Sequence, residues 1–375
     1  MTSKYIGGPL ELSVRHLESP LIDDPHVQLD LLDWNMCWPA SGRNGLAIIL
    51  DQWRERLEGG HLLLPDYFCW DAVLPLIKGI KVRFVKIGDR LLPEIESLNR
   101  ELSDPKLRAV IFLDYFGLCD LRAQLKLIKL KRPDILIGID AAQAFLGLFN
   151  VTMRYPGVDA VVSSPRKVLP IPDGGLVLMG NHNTMPILSR TERSVERDAL
   201  FLAAGTLREA VVNRKLDEDL SAAMEVLYVE LFDRHKGLIS PEIELISLLS
   251  AEIIRRTDLK KVANQRAANI ACLQRILFNG RSRNILRAVL PTPNGAGLAF
   301  PIRVTSGHRD PLRSYLRAKG YFCAVHWPVP DQANSILGTE ARRLANELLS
   351  LPVDQRYNED DMCQLANAIE DYLNT

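Results

Sequence analysis

Three short segments of this chain carry residue types that could do covalent chemistry. The first is Asp-Ala-Val-Val-Ser-Ser-Pro-Arg-Lys over 159–167, where an apolar run ends and Lys167 follows Ser164 at S-x-x-K spacing; a Gly-Gly pair at 174–175 precedes the next apolar run. An amine in such a place can condense with an aldehyde once its surroundings lower its pKa. Ser164 could hold a phosphate. The same spacing also marks the serine nucleophile of certain acyl-transfer enzymes, but that chemistry needs S-D-N and K-T-G further on, and the sequence has neither. The second segment ends in Asp140, which closes the run Ile-Leu-Ile-Gly-Ile-Asp and is followed by Ala-Ala-Gln143-Ala. A carboxylate at the end of a buried strand is costly unless a cation or a hydrogen-bond donor meets it. A protonated pyridine nitrogen would be such a partner. The third segment is Ser41-Gly42-Arg43-Asn44, which opens a helical pattern with Leu46, Ile49, Leu50 and Trp53 on one face. Ser41 suits an N-cap. The free N–H groups of a helix start bind phosphate, Gly42 lets the backbone come close, and Arg43 could add a charge-assisted contact.

Each segment also has a plainer reading. Lys167 could be an exposed loop lysine, Asp140 a helix cap, and 41–44 a capped helix start with a surface arginine. Taken together, an amine, an acid for a ring nitrogen and a phosphate cradle suit one cofactor, pyridoxal 5'-phosphate (PLP), whose ring is an electron sink.

The elements that would position these groups are legible as alternating runs. HLLLP (61–65), KVRFVKI (81–87), RAVIFLDYFG (108–117), DILIGIDAAQA (134–144), DAVVSS (159–164) and GGLVLM (174–179) are rich in Val, Ile and Leu and separated by helical stretches. They predict buried strands of a mostly parallel sheet with helices on both faces, an α/β fold whose ligands sit beyond the carboxyl ends of the strands. Residues 1–40 read as an irregular N-terminal arm. Residues 41–240 read as the large, cofactor-binding domain, and 241–375 as a connecting helix and a small α+β C-terminal domain. Within the large domain, the charged stretches RTERSVERD (190–198) and NRKLDED (213–219) read as solvated helix faces. A long helical pattern is expected over 241–278. The last part should run strand (GLAFPIRV), helix (DPLRSYLRAKG), strand (FCAVHWPV) and a final amphipathic helix opened by Asn358.

Composition narrows the function classes. Lys+Arg and Asp+Glu are balanced at 46 each among 375 residues, so no basic excess points to nucleic acid. No apolar run reaches the roughly 18 residues of a membrane span, and the first residues lack the apolar core of a signal peptide. The six cysteines form no C-x-x-C pair and sit in apolar segments, which reads as free, mostly buried thiols in a reducing compartment, hence a cytoplasmic protein. No metal site, P-loop, G-x-S-x-G elbow or strand-following G-x-G-x-x-G is present in the sequence.

Six segments resemble the DegT/StrS-type nucleotide-sugar aminotransferase family, in family order over nearly the whole chain. They are SGRNGL (41–46), LLLPDYFCWDAVLPLIKGIKVRFV (62–85), FLDYFG (112–117), GIDAAQAFLG (138–147), SSPRKVLPIPDGG (163–175) and LSLPVDQRYNEDD (349–361). The resemblance implies an aspartate-aminotransferase-like PLP fold, with a mostly parallel seven-stranded sheet sandwiched by helices and a small C-terminal domain. It implies that Lys167 is the Schiff-base lysine and proton shuttle. Asp140 would partner the pyridinium nitrogen, Gln143 would lie beside the cofactor's phenolic oxygen, and Ser164, Gly42, Arg43 and Asn44 would cradle the phosphate. The expected reaction moves an amino group from an amino acid, glutamate by expectation, to a keto group on a nucleotide-linked sugar, in a homodimer. A different, non-sugar acceptor and a non-catalytic relative on the same fold are the alternatives. Three departures stand out. Gly42-Arg43 replaces the usual Gly-Thr, and the aromatic expected over the ring falls on Cys69, beside Trp70. The loop that reaches the neighbouring subunit's site in the family has no counterpart in 181–220. His326-Trp327 could line the substrate entrance, or be a packed tryptophan with an incidental histidine.

Overall fold

Strand β1 (Ile6–Gly7) opens the computed structural model, which describes residues 5–12, 15–22, 28–29, 31, 33–180, 185–213, 217–238, 242–278, 285–289, 295–329 and 336–374. The Val-, Ile- and Leu-rich runs then form strands of one seven-stranded sheet. These are β2 (Asn35–Cys37), β3 (His61–Pro65), β4 (Val82–Val85), β5 (Leu107–Leu113), β6 (Leu136–Ala141), β7 (Ala160–Ser163) and β8 (Leu176–Met179), in the order β2-β8-β7-β6-β5-β3-β4. Strands β3 to β7 pair in parallel, while β8 runs antiparallel to both of its neighbours.

Alternation along these strands feeds two separate cores, which is why they read as continuous apolar runs. Leu62, Leu64, Ile111, Leu113, Val162 and Val177 belong to one cluster; Leu63, Val110, Phe112, Val161, Leu176 and Leu178 belong to the other. The first core takes Leu46, Ile49 and Leu50 from helix α1 (Gly42–Gln52). The second takes Leu98 and Leu102 from α2 (Ile95–Leu102) and Leu125 and Ile128 from α3 (Arg122–Lys131). The sheet is therefore sandwiched, as the sequence predicts.

The segment 190–237 folds as a helical hairpin of α4 (Glu192–Asn213) and α5 (Glu218–Gly237). The expected long helix over 241–278 is interrupted. Leu245 and Ile246 are tied in extended form to Ser189 and Trp38. Two helices follow, α6 (Leu248–Arg255) and α7 (Leu259–Leu277). Each starts at a side-chain cap, Ser247 accepting from Ser250 N and Asp258 from Lys261 N, and such local bonds compete with helix continuation.

In the C-terminal part, β9 (Leu286–Ala288), β10 (Phe300–Val304) and β12 (Leu348–Leu351) form an antiparallel sheet of order β12-β10-β9. Helices α8 (Arg309–Ala318), α9 (Thr339–Glu347) and α10 (Glu359–Leu373) complete it. Asn358 and Asp361 form a reciprocal capping box at the start of α10 (3.1 and 3.0 Å). The strand expected over FCAVHWPV shrinks to β11 (Tyr321–Phe322) and a single bridge from Ala324 to Ser350. Residues 1–40, read as irregular, contribute β1, which pairs with β11, and β2, which closes one edge of the large sheet. At two and three residues, both are too short for an alternating pattern to be seen.

Candidate active site

A cavity of about 740 Å³ opens where the carboxyl ends of β5, β6 and β7 meet the small sheet. That is where a sheet of this topology places its ligands, and the volume suits a cofactor together with a substrate. Lys167, Asp140, Gln143, Ser164, Gly42 and Arg43 all line it. Of the residues singled out in the sequence, Asn44 stands apart. Its side chain is buried, donates to Glu242 O (3.0 Å) and is not among the lining residues. It lies a turn inside α1, where its amide is drawn to the chain entering α6 instead.

Adjacent parallel strands bring the two central groups together. Asp140 pairs in register with Val162, and Lys167 follows five residues later, at the end of a short turn (Pro165–Lys167). Lys167 N–H donates to Ser164 O (3.1 Å). Burial pulls the Lys167 ammonium below its ordinary range, against the opposing pull of Asp140 and Cys69. Burial likewise raises Asp140, against Lys167 and the N–H of Ala142 (2.9 Å). Burial outweighs the mutual attraction in both, so neither is fully compensated in its charged form. A fraction of neutral amine at Lys167 is what imine formation needs.

The segments expected to cradle a phosphate are held together by close backbone contacts. Gly174 and Gly175 N–H donate to Ala40 O and Pro39 O (both 2.7 Å), and a side chain on Gly175 would come within 2.4 Å of Ser41 O. A side chain on Gly42 would press on Ser164 (3.3 Å). The Gly-Gly pair thus seats the Lys167 loop against the N-terminus of α1. Ser41 caps that helix by accepting from Asn44 N (3.1 Å), and Ser164 donates to Gly174 O (3.2 Å).

Gln143 tests whether these residues fit the expected cofactor. Its Oε1 accepts from Phe116 N (2.8 Å), which fixes the carboxamide, yet its Nε2 is buried without an acceptor. An orphaned donor on a cavity-lining residue matches a ligand that brings an acceptor oxygen, such as the phenolic oxygen of PLP. Gly117 makes the close approach of the Phe116 turn possible: its φ is +74°, and a side chain there would lie 3.0 Å from Gln143 O. Asp140, the cradle and Gln143 together fit PLP.

Further lining residues include three that the sequence offered, Cys69, His326 and Trp327, and three from the helices of 190–237 that it did not, Phe201, Phe232 and His235. Cys69 lines the cavity, while Trp70 turns away, buried against Phe68 and Phe84. His326 and Trp327 both line it. Tyr67 OH donates to His326 O and accepts from Trp327 N (3.0 Å), and His326 Nδ1 meets Ser350 Oγ (2.8 Å). Burial, then Lys167, pushes the His326 imidazole down to about 4. From the hairpin come Phe201, Phe232 and His235. The stretch 190–198, read as a solvated face, contains Arg197, which is fully buried and bridges Asp173 and Glu244 (2.5 Å to the latter). Asp173 also takes Ser250 Oγ (2.5 Å) and Ser247 N (3.2 Å), and Glu244 takes Thr191 Oγ1 (2.5 Å). This triad pins α4 to the loop that carries Lys167, which is why a charged helix face is buried here. The stretch 213–219 lies partly outside the described residues.

No family model and no curated relative matches the chain. Solved structures do match it along its whole length. The sugar aminotransferase CalS13 from Micromonospora echinospora superposes with a TM-score of 0.65 at 15% identity, over 98% of this chain and 99% of its own. The aminotransferase TlmJ from Streptoalloteichus hindustanus gives 0.63 at 17% identity, over 100% and 99%. The putative sugar aminotransferase Spr1654 from Streptococcus pneumoniae, in its PLP form, gives 0.62 at 15% identity, over 100% and 93%. The chain therefore has the fold of the sugar aminotransferases from end to end.

Proposed function

We propose that this chain is a PLP-dependent aminotransferase. It takes an amino group from an amino acid, glutamate first among the candidates, and delivers it to a keto group on a nucleotide-linked sugar. The observation that carries this reading is the placing of Lys167 and Asp140 on neighbouring strand ends, in one cavity, beside the orphaned Gln143 donor. The solved structures of this fold that are named as sugar aminotransferases support the choice of acceptor.

When bound, PLP supplies an electron sink for the carbanion left when a substrate carbon loses its proton. The chain's own residues do the rest. Lys167 Nζ would anchor the cofactor's aldehyde carbon and, once an incoming amine displaces it, would serve as the base that takes and returns the proton at the reacting carbon. Asp140 holds the ring nitrogen protonated; a cation there also relieves a carboxylate that burial destabilises. Gln143 Nε2 orients the ring through its phenolic oxygen. Ser164, Gly42 and Arg43 hold the phosphate end. Asn44, which does not line the cavity, ties the start of α1 to Glu242 O. On the resemblance, Cys69 stands at the chain position from which an aromatic would cover the ring, and it lines the cavity. On the resemblance to its family the enzyme works as a homodimer, and the six free thiols agree with the cytoplasm.

Absorbance of the purified chain with added PLP tests this directly. A visible band in the wild type, absent in Lys167→Ala and bleached by glutamate, is expected; mass analysis of incubations with nucleotide-linked keto-sugars then identifies the acceptor. A band that glutamate leaves untouched removes the proposed donor. No band in the wild type leaves a non-catalytic relative on this fold.

A further inference from the structure

The cavity contains a pair of cations that the reading above uses only by half. Arg43 stands at the start of α1, and Arg166 lies in the turn between Ser164 and Lys167. Both line the cavity, and both side chains reach solvent there. Neither guanidinium donates a hydrogen bond to a described residue. Gly42, next to Arg43, packs on Ser164 at the head of the Arg166 turn, where a Cβ on Gly42 would lie 3.3 Å from Ser164 Cβ. Desolvation lowers the Arg166 guanidinium first, Asp173 opposes it next, and Arg43 and Arg197 add smaller downward pulls. Asp173 is committed elsewhere, to Arg197, Ser250 and the N–H of Ser247. The other groups facing this corner do not supply an anion. His235 gives its Nε2–H to Pro172 O (2.8 Å), and Lys236 pairs with Asp233 (2.8 Å) on the surface. Two guanidinium groups beside a helix N-terminus, with no carboxylate hydrogen-bonded to either among the described residues, make a corner that attracts an anion. A planar fork of N–H donors matches phosphate oxygens in pairs.

We propose that Arg43 and Arg166 form a two-guanidinium clamp for a phosphate ester, built from a single chain. The proposal rests on the PLP reading for its principal ligand, the cofactor's own phosphate. The diphosphate of a nucleotide-linked acceptor shares the chemistry and is the other source. Arg166 thereby becomes a binding residue in its own right and not merely the neighbour of Lys167. Because Ser164, Arg166 and Lys167 share one turn, the clamp also couples the phosphate's position to that of Nζ.

The test uses the full chain stripped of cofactor, as wild type, Arg166→Ala, Arg166→Lys and Arg43→Ala, with circular dichroism to confirm the fold. Dissociation constants are measured by tryptophan fluorescence for PLP and for pyridoxal, which lacks the phosphate. Arg166→Ala is expected to weaken PLP about tenfold or more while pyridoxal changes less than about twofold. Arg166→Lys, which keeps the charge but loses the fork, should fall between. If PLP is unaffected but Arg166→Ala weakens binding of a nucleoside diphosphate to the loaded protein, the clamp holds and serves the acceptor. If neither changes, the clamp is overturned. Should the wild type bind neither PLP nor pyridoxal, the PLP reading fails by itself. Calorimetry with inorganic phosphate then decides the clamp: binding that Arg166→Ala weakens supports it, while equal or absent binding in both proteins overturns it.

Discussion

Two clusters of buried charge flank the same loop and are built on opposite principles. Asp140 and Lys167 face each other in the cavity with few hydrogen bonds of their own, and burial shifts each toward its neutral form. Beside this loop, Asp173, Arg197 and Glu244 are more deeply buried, yet Asp173 and Glu244 each meet donors: the arginine they share, the Ser250 and Thr191 hydroxyls and the backbone N–H of Ser247. The more fully bonded cluster, in which Arg197 Nε is left without an acceptor, positions the loop, and the sparsely bonded one is, on our proposal, left for a ligand to complete. Strongly perturbed groups mark a functional site when their partners are missing, and a structural site when they are present.

The largest contrast comes from removing the central cation of each. Lys167→Ala should abolish the visible PLP band and lower turnover by at least about a thousandfold, while the melting temperature stays the same or rises, because a destabilised amine has been removed. Arg197→Ala should do the reverse. It leaves two carboxylates buried without their cation and is expected to cost about 3–5 kcal/mol of stability, read from urea unfolding. Equal melting curves for the two variants would erase the distinction.

A pH titration sharpens it. His235, only 2% exposed beside the more fully bonded cluster, has its imidazole pushed down to about 4 from the usual 6.5, by burial first. Its folded value lies below its unfolded one, so the unfolded chain binds the extra proton first. The stability due to the neutral imidazole is present above about 6.5 and is lost as pH falls toward about 4, by up to about 3 kcal/mol. His235→Gln should flatten that slope; His326 contributes in the same direction and window, so the slope does not vanish. The smallest effect separates Gln143 from Asn44. Gln143→Ala should weaken PLP severalfold, on the order of 1 kcal/mol, whereas Asn44→Ala should lower stability by a similar amount and leave PLP affinity nearly unchanged. PLP titration and thermal melting of the two variants check this together.

The same contrast explains what the sequence could and could not show. Lys167, Asp140, Ser164 and Gly42 sit in contiguous motifs at strand ends, where a buried strand and a Gly-rich turn fix the geometry within a few residues. The six large-sheet runs are legible for the same reason: strands buried on both faces cannot hide their apolar composition. Arg197 and His235 could not be read, because each is one polar residue in a long helix of mixed character, and only the partners the fold brings, Asp173 and Glu244 for Arg197 and Pro172 O for His235, show which faces are buried. Arg166 lay inside the motif and was passed over, since its meaning depends on Arg43, which is brought beside it from 123 positions away in the chain. Asn44 differs in the other direction: Gly42 and Arg43 line the cavity, while the Asn44 side chain bonds Glu242 O outside its lining. Strands β1 and β2 depend on partners found only in the fold.

The most direct test of the central claim is to incubate the full chain with PLP, reduce with borohydride and locate the added mass by peptide mapping. An adduct confined to the peptide that carries Lys167, and lost in Lys167→Ala, is the predicted result. Adducts scattered over surface lysines with Lys167 unmodified, or none at all, would contradict it.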